Sequence, residues 1–364
     1  MADSGQTLSD NRTVSPRVLC VSAVLGIVLL TPALHVRAES VHRYEFSLPR
    51  MGTIFEIILY APNQNAASLA ANAAFDRIEQ LEQSMSDYRE NSELNRLCRE
   101  AVWNPRPVSQ ELFFVLENSI RISRLTGGAF DVTVGPEVAL WREARRAKRL
   151  PDPQALAQAK AAVGYENLVL DPIAHTVMLK RDDMKLDLGG IAKGFAVDEA
   201  LKLLKSRGIR RALVQGGGNI ALGDAPPEAP GWKIALDDLG SGPSQHRYLM
   251  LHNLGVGTSG DAYQHLDLNG KRYSHVVNPT DGIGISDSVS TTVLAPDGIT
   301  ADALALGLSI LSVPDALKIA DSMKGVSVSL SRRVGSELRH FSSRGFPRPL
   351  ESANPAPGHV SENK

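Results

Sequence analysis

Apolar and polar positions change their period several times along this chain of 364 residues, and each change marks an element. Residues 44–60 predict two short strands around the turn Pro49-Arg50-Met51-Gly52-Thr53, the second starting at Ile54. Residues 65–85 are rich in alanine, with Leu69, Ala73, Ile78, Leu81 and Met85 near helical spacing, which predicts a helix with one buried stripe. Ser109 is placed to cap a helix over 110–126 that stops at Gly127-Gly128. Residues 141–150 predict a basic helix with a solvated face, 151–163 a further helix, and 168–188 a hairpin or meander. Met184, Leu186 and Leu188 alternate as a strand end with Asp187 on its other face; Gly189-Gly190 then turns the chain into a helix over 191–205. Residues 211–220 read as a buried strand running into Gly216-Gly217-Gly218, and further strands are expected at 232–237, 247–251 and 288–294. His275 falls on a short strand before the Asn278-Pro279 turn, and Thr300 is placed to cap a helix starting at 301 that is followed by another over 314–323. Beyond about Phe341 the chain turns rich in Pro and Ser, so disorder is expected there.

The formal net charge is −1 and no long basic run occurs, which argues against nucleic acid as a partner. The N-terminus changes the picture more. Arg12 and Arg17 precede an apolar run from Val18 to Leu34, and Val36-Arg37-Ala38 offers small residues at the cleavage-determining positions. This predicts a Sec-type signal peptide over 1–38, one folded domain over 39–340 and a disordered tail over 341–364. The run contains Ser22, Gly26 and Pro32 and is short for a spanning helix, although an uncleaved inner-membrane anchor is the alternative to a periplasmic soluble protein. Cys20 lacks the small residue expected before a lipidated cysteine. Its removal would leave Cys98 as one thiol without an internal disulfide, and no CxxC or His/Cys cluster suggests zinc.

Candidate chemistry lies in the glycine loops. A strand, a glycine turn and a fresh helix N-terminus at 187–194 aim backbone N–H groups at one point, which suits a phosphate. Lys193, in the first turn of that helix, is poorly placed for the helix dipole but well placed for an anion. The plain alternative is an ordinary strand–turn–helix connection with a solvated lysine. Taken singly, Asp131 reads as a turn residue in the loop Gly127 to Pro136, His275 as a structural histidine, and Asp302 as a complement to its helix dipole. Together, several glycine loops each carrying one polar residue favour a phosphate-bearing ligand held mostly by backbone, with acidic residues left over for a hard cation.

The ordered blocks are Met51-Gly-Thr53, Met85-Ser-Asp-Tyr88 with Ser92-Glu93, Gly128-Ala-Phe-Asp131 with Gly135-Pro136, and Asp187-Leu-Gly-Gly-Ile-Ala-Lys-Gly194. They continue with Gly216-Gly-Gly-Asn219, Thr258-Ser-Gly-Asp261, His275-Val-Val-Asn-Pro279 and Ala301-Asp-Ala303. In these blocks the chain resembles the ApbE-type FAD:protein FMN transferases over about residues 44–323. The resemblance implies an exported bacterial enzyme that binds FAD and Mg²⁺ and transfers the FMN half through a phosphoester bond to a Thr or Ser of an acceptor flavoprotein, releasing AMP. The acceptors it implies include subunits of membrane redox pumps. It also implies an α+β fold of T-fold-like subdomains, with antiparallel sheets, packed helices and FAD in the cleft between them. On the matching positions, Met51, Tyr88, Ala129, Phe130, Asp131, Asp187, Lys193 and His275 would contact FAD, and the Ala192 carbonyl and Asp302 carboxylate would bind the metal.

Breaking a pyrophosphate requires neutralised charge on its oxygens, a role for Mg²⁺ and Lys193. The acceptor hydroxyl needs a base within hydrogen-bond reach. His275 and Asp302 are the candidates, and His275 is preferred because Asp302 is better used on the metal. Two other readings compete: an FAD pyrophosphatase in which water replaces the acceptor, and a flavin-binding protein without catalysis. A nicotinamide oxidoreductase is disfavoured because no GxGxxG follows an early strand. One position departs from the family. Its members usually carry Thr or Ser one helical turn after the metal-binding Asp, and here Leu306 offers no side-chain oxygen. A Leu306→Thr variant is therefore expected to bind Mg²⁺ more tightly than the wild type; equal metal dependence of FMN transfer in the two proteins contradicts this.

Overall fold

The computed structural model describes residues 40–236, 239, 247–260, 265–268, 270–286, 288–334 and 337–351; the expected signal segment and Asp261 lie outside them. Strands β1 (His42–Arg50) and β2 (Thr53–Ala61) form a hairpin in which Arg50 faces Thr53. Its two-residue turn places both Met51 and Gly52 at positive φ, 48° and 72°, as a turn matching the strand twist demands. A non-glycine residue is held there by α1 (Gln64–Met85), whose Glu82 accepts from the Met51 N–H at 2.9 Å. The buried face of α1 runs through Ala67, Ala70, Ala71, Ala74, Phe75, Ile78, Leu81 and Met85. Leu69, expected in that stripe, is exposed, because the face that packs on the next helix layer is the alanine-rich one and permits closer approach.

Next come α2 (Glu93–Glu100), β3 (Arg106–Pro107) and α3 (Gln110–Leu125), the last capped by Ser109 as expected. Helix α4 (Gly135–Ala147) starts earlier than the basic stretch suggests, since Pro136 opens it instead of closing a loop. Helix α5 (Pro153–Ala161) and strands β4 (Leu168–Asp171) and β5 (Thr176–Leu179) complete this region. The expected strand end at 184–188 is a single bridge between Lys185 and Val134, although Met184, Leu186 and Leu188 are buried as the alternation requires.

Helix α6 (Ala192–Ser206) leads into β6 (Ala212–Gly216), β7 (Asn219–Leu222), β8 (Trp232–Ala235), β9 (Arg247–Leu251) and β10 (Gly255–Gly260). Short strands β11 (His265–Leu268), β12 (Lys271–Ser274), β13 (Val277–Asn278) and β14 (Ile283–Gly284) precede β15 (Val289–Ala295). Helices α7 (Gly298–Ile310) and α8 (Val313–Ser322) and strands β16 (Ser327–Val334), β17 (Glu337–Ser342) and β18 (Leu350–Glu351) end the described chain. The class is α+β. An antiparallel sheet of order β1-β2-β6-β7-β10-β15-β16-β17 carries helices α1, α6 and α7 on one face and the β18-β9-β8 sheet on the other. The alternation within β6 shows why: Ala212 and Val214 join the helical core, while Leu213 joins Trp232, Ile234, Leu249 and Leu251.

Of the expected disordered tail over 341–364, residues 341–351 are ordered and 352–364 lie outside the described residues. Strand β17 runs through Ser342, Ser343 exchanges hydrogen bonds with Val328, and β18 pairs with β9. Backbone pairing at two sheet edges orders a segment whose composition suggests disorder.

Helices α6 and α7 cross without intervening side chains. A Cβ at Gly194 would collide with the Gly298 carbonyl and lie 2.6 Å from the Asp302 Cβ. Asp198 of α6 accepts from the N–H groups of Gly298 (2.8 Å) and Ile299 (2.9 Å), and Asp297 caps the Thr300 N–H. The cap is thus Asp297 and not Thr300, and a neighbouring helix satisfies donors that a single cap cannot.

Helix α4 buries Glu137 completely beside the Gly282 turn, and neither carboxylate oxygen has a hydrogen-bond partner among the described residues. Burial pushes its pKa up to about 8; Lys160 opposes the shift, and Asp131 and Asp281 add to it. Its ordinary value is 4.5, so the native state favours the protonated acid; the associated stability is complete below that value and lost as pH rises towards 8. Glu137→Gln is expected to gain stability over the wild type across that window, by an amount on the order of a few kcal/mol. Thermal unfolding at acidic and alkaline pH checks this; a difference independent of pH contradicts it.

Candidate functional site

The glycine turn, the β1–β2 turn, the loop after α1 and helix α4 surround one cleft of about 610 Å³. Met51, Tyr88, Phe130, Asp131, Asp187, Ala192, Lys193, His275 and Leu306 line it, so most of the residues singled out by sequence converge. Ala129 is buried outside that lining, and Asp302 lies beneath it, 7% exposed.

Asp187 is the hub of one wall. Its N–H donates to the Val132 carbonyl at 2.8 Å, its Oδ1 accepts from the Gly189 N–H at 2.7 Å, and its Oδ2 accepts from Arg142 at 2.9 Å. Arg142 also bonds to Asp87 and stacks over Tyr88, 4.3 Å from the ring centroid. One guanidinium therefore joins α4, the loop after α1 and the glycine turn. Burial, and then the Asp187 charge, push the Asp87 pKa up despite that contact, as expected for two carboxylates sharing one cation. Sequence reasoning placed this helix on a solvated surface. The signal that reveals it is the spacing of Val138, Arg142 and Arg145, which puts all three on one helical face with the cleft.

Asp131 organises its own loop. Its Oδ1 accepts from the Thr133 N–H (2.8 Å) and hydroxyl (2.7 Å), and its Oδ2 from the Tyr165 N–H at 2.9 Å. Burial nevertheless raises its pKa. His275 is half-buried and follows Ser274, whose N–H donates to the Ile285 carbonyl at 2.8 Å. Trp141 holds the turn beyond His275 by donating to the Gly282 carbonyl at 2.8 Å.

The α6 N-terminus forms the floor. Ile191 caps it without a side-chain hydrogen bond, Lys193 Nζ donates back to the Gly189 carbonyl, and the Gly194 N–H donates to Asp302 Oδ2 at 2.9 Å. Burial raises the Asp302 pKa; the Lys193 charge and hydrogen bonds from Gly194 and Asn219 oppose the shift. Asn219 is 2% exposed, and its Oδ1 has no hydrogen-bond partner among the described residues. A buried carboxylate beside an orphaned amide oxygen and a helix-start carbonyl is a donor set suited to a hard cation that keeps several waters. Leu306 contributes packing only: a Cβ on Gly190 would lie 2.7 Å from its Cδ1 and 3.4 Å from Phe130. Among the described residues, no three His, Cys, Asp or Glu side chains gather around one point, so a protein-only metal cage is not assembled.

Comparison with known proteins gives a consistent result. The sequence pattern of the ApbE family matches residues 51–330. The FAD:protein FMN transferase of Vibrio cholerae is 32% identical over 327 residues, which cover 88% of this chain and 96% of that protein. The enzyme of the same name from Haemophilus influenzae is 31% identical, with 90% and 98% covered. Among solved structures, the flavin transferase ApbE from Vibrio cholerae superposes with a TM-score of 0.74 at 30% identity, covering 84% of this chain and 99% of that one. With the family pattern over most of the chain, these relatives and the shared fold in agreement, the chain belongs to the ApbE family.

Proposed function

We propose that this protein transfers the FMN moiety of FAD to a Thr or Ser hydroxyl of an acceptor flavoprotein, with Mg²⁺, and releases AMP. The observation that carries the reading is the floor of the cleft. A glycine turn and a helix N-terminus whose N-cap residue, Ile191, offers no side-chain cap stand with Lys193 beside the buried carboxylate of Asp302. Such a place suits a pyrophosphate, whose oxygens need both donors and positive charge. Asp302, the Ala192 carbonyl and Asn219 Oδ1 would hold the cation. When bound, Mg²⁺ neutralises charge on the phosphoryl oxygens.

In the proposed reaction, the acceptor oxygen bonds to the flavin-side phosphorus and the bond to the bridging oxygen breaks. His275 takes the hydroxyl proton, and Lys193 stabilises charge building on the departing AMP. Asp187 fixes the glycine turn, and Tyr88, 77% exposed at the cleft, leaves room for a protein acceptor to approach. The acceptor would be a membrane-associated redox subunit, met outside the cytoplasm after export through the segment 1–38.

The test uses the protein lacking residues 1–38, FAD, Mg²⁺ and an acceptor domain that a known flavin transferase modifies. Mass spectrometry is expected to find an FMN adduct on the acceptor with AMP released. Asp302→Ala is expected to reduce the rate by at least about a hundredfold. Free FMN without adduct makes the protein a pyrophosphatase, and intact FAD makes it a binding protein.

A further inference from the structure

The two arginines that α4 presents to the cleft differ in one respect. Arg142 bonds to Asp87 and Asp187 and stacks on Tyr88, so its charge is already matched. Arg145, one turn on, also lines the cleft, yet its Nη1 is buried with no hydrogen-bond partner among the described residues. No carboxylate figures among the charges that act on it: burial and then Arg142 lower its pKa, and Tyr88 alone acts the other way. A guanidinium does not discharge at physiological pH. Half-buried at the cleft with one N–H group left unpaired, it is poised to donate to an acceptor brought into the cleft. Lys193, on another wall of the same cleft, bonds to a neutral carbonyl. Arg145 and Lys193 are thus cations of this cleft not committed to a carboxylate hydrogen bond among the described residues, and they come from different elements.

We propose that Arg145 is a ligand-recognition residue, whose planar fork donates to a phosphoryl oxygen of the nucleotide held in the cleft. The inference rests on the FAD reading above and assigns the pyrophosphate a second protein cation, from α4. Arg142 then has a separate role, as the positioning residue that fixes the Asp87 and Asp187 carboxylates around the ligand.

The test measures FAD binding without acceptor, by flavin fluorescence, in wild type, Arg145→Gln and Arg145→Lys, with thermal unfolding as the check on folding. Loss of a charge-assisted hydrogen bond is expected to weaken FAD binding about tenfold or more in Arg145→Gln. Arg145→Lys is expected to recover part of that loss, and Arg145→Gln to show a shallower dependence on ionic strength than the wild type. Unchanged FAD affinity overturns the proposal, as does equal loss in both variants with the wild-type salt dependence. If the wild type binds no FAD, the parent reading fails by itself. The same three proteins are then titrated with inorganic pyrophosphate, where weaker binding by Arg145→Gln supports the anion role and equal or absent binding overturns it.

Discussion

The crossing of α6 and α7 at Gly194 and Gly298 is the contact on which the site depends. Any side chain at Gly194 would force the two helices apart, because the atoms it would meet belong to backbone and to Asp302 Cβ. Their close approach puts the Asp302 carboxylate within hydrogen-bond reach of the Gly194 N–H, inside the first turn of α6. The same crossing lets Asp198 satisfy the first N–H groups of α7. A buried acid is unfavourable in isolation, and this one is held by one backbone donor, an amide and a neighbouring lysine. The site is therefore a consequence of helix packing, with its acid fixed before any ligand arrives.

Helix α4 supplies the opposing constraint. Its buried face reaches the chain at three places: Arg142 joins Asp87 to Asp187, Trp141 holds the Gly282 carbonyl, and Glu137 lies against the Gly282 turn. These contacts tie the His275 segment and the glycine turn to one rigid element, which suits the proposed role of the cleft in holding a dinucleotide in a single orientation. Leu306 and Phe130, packed beside Gly190, set the apolar part of that cleft.

Much of this was legible in the sequence where the signal is local. The β1–β2 turn, the Ser109 cap and the glycine turn before α6 follow from glycine placement and periodicity, whereas most of the cleft residues are implied by the family resemblance. What escaped depends on partners distant in the chain. Arg142 and Arg145 read as solvated because charge dominates their stretch, and it is the contacts of Arg142 with residues some fifty positions away that turn this helical face inward. Asp297 displaces Thr300 as the α7 cap, since both residue types cap helices and the strand β15 before them fixes the start. Ser343 lies in a stretch whose composition suggests a loose tail, yet it exchanges hydrogen bonds with Val328, fifteen positions away, at the sheet edge. Asp131, which lines the cleft, also accepts three hydrogen bonds within its own loops, a role its sequence surroundings alone do not reveal.

The most direct measurement is a crystal structure of the protein lacking residues 1–38 with FAD and Mn²⁺ in place of Mg²⁺, using anomalous scattering to locate the metal. The account predicts the pyrophosphate over the Gly189–Lys193 turn and an anomalous peak beside the Asp302 carboxylate. A dinucleotide bound away from the α6 N-terminus, or a metal bound away from Asp302, would contradict it.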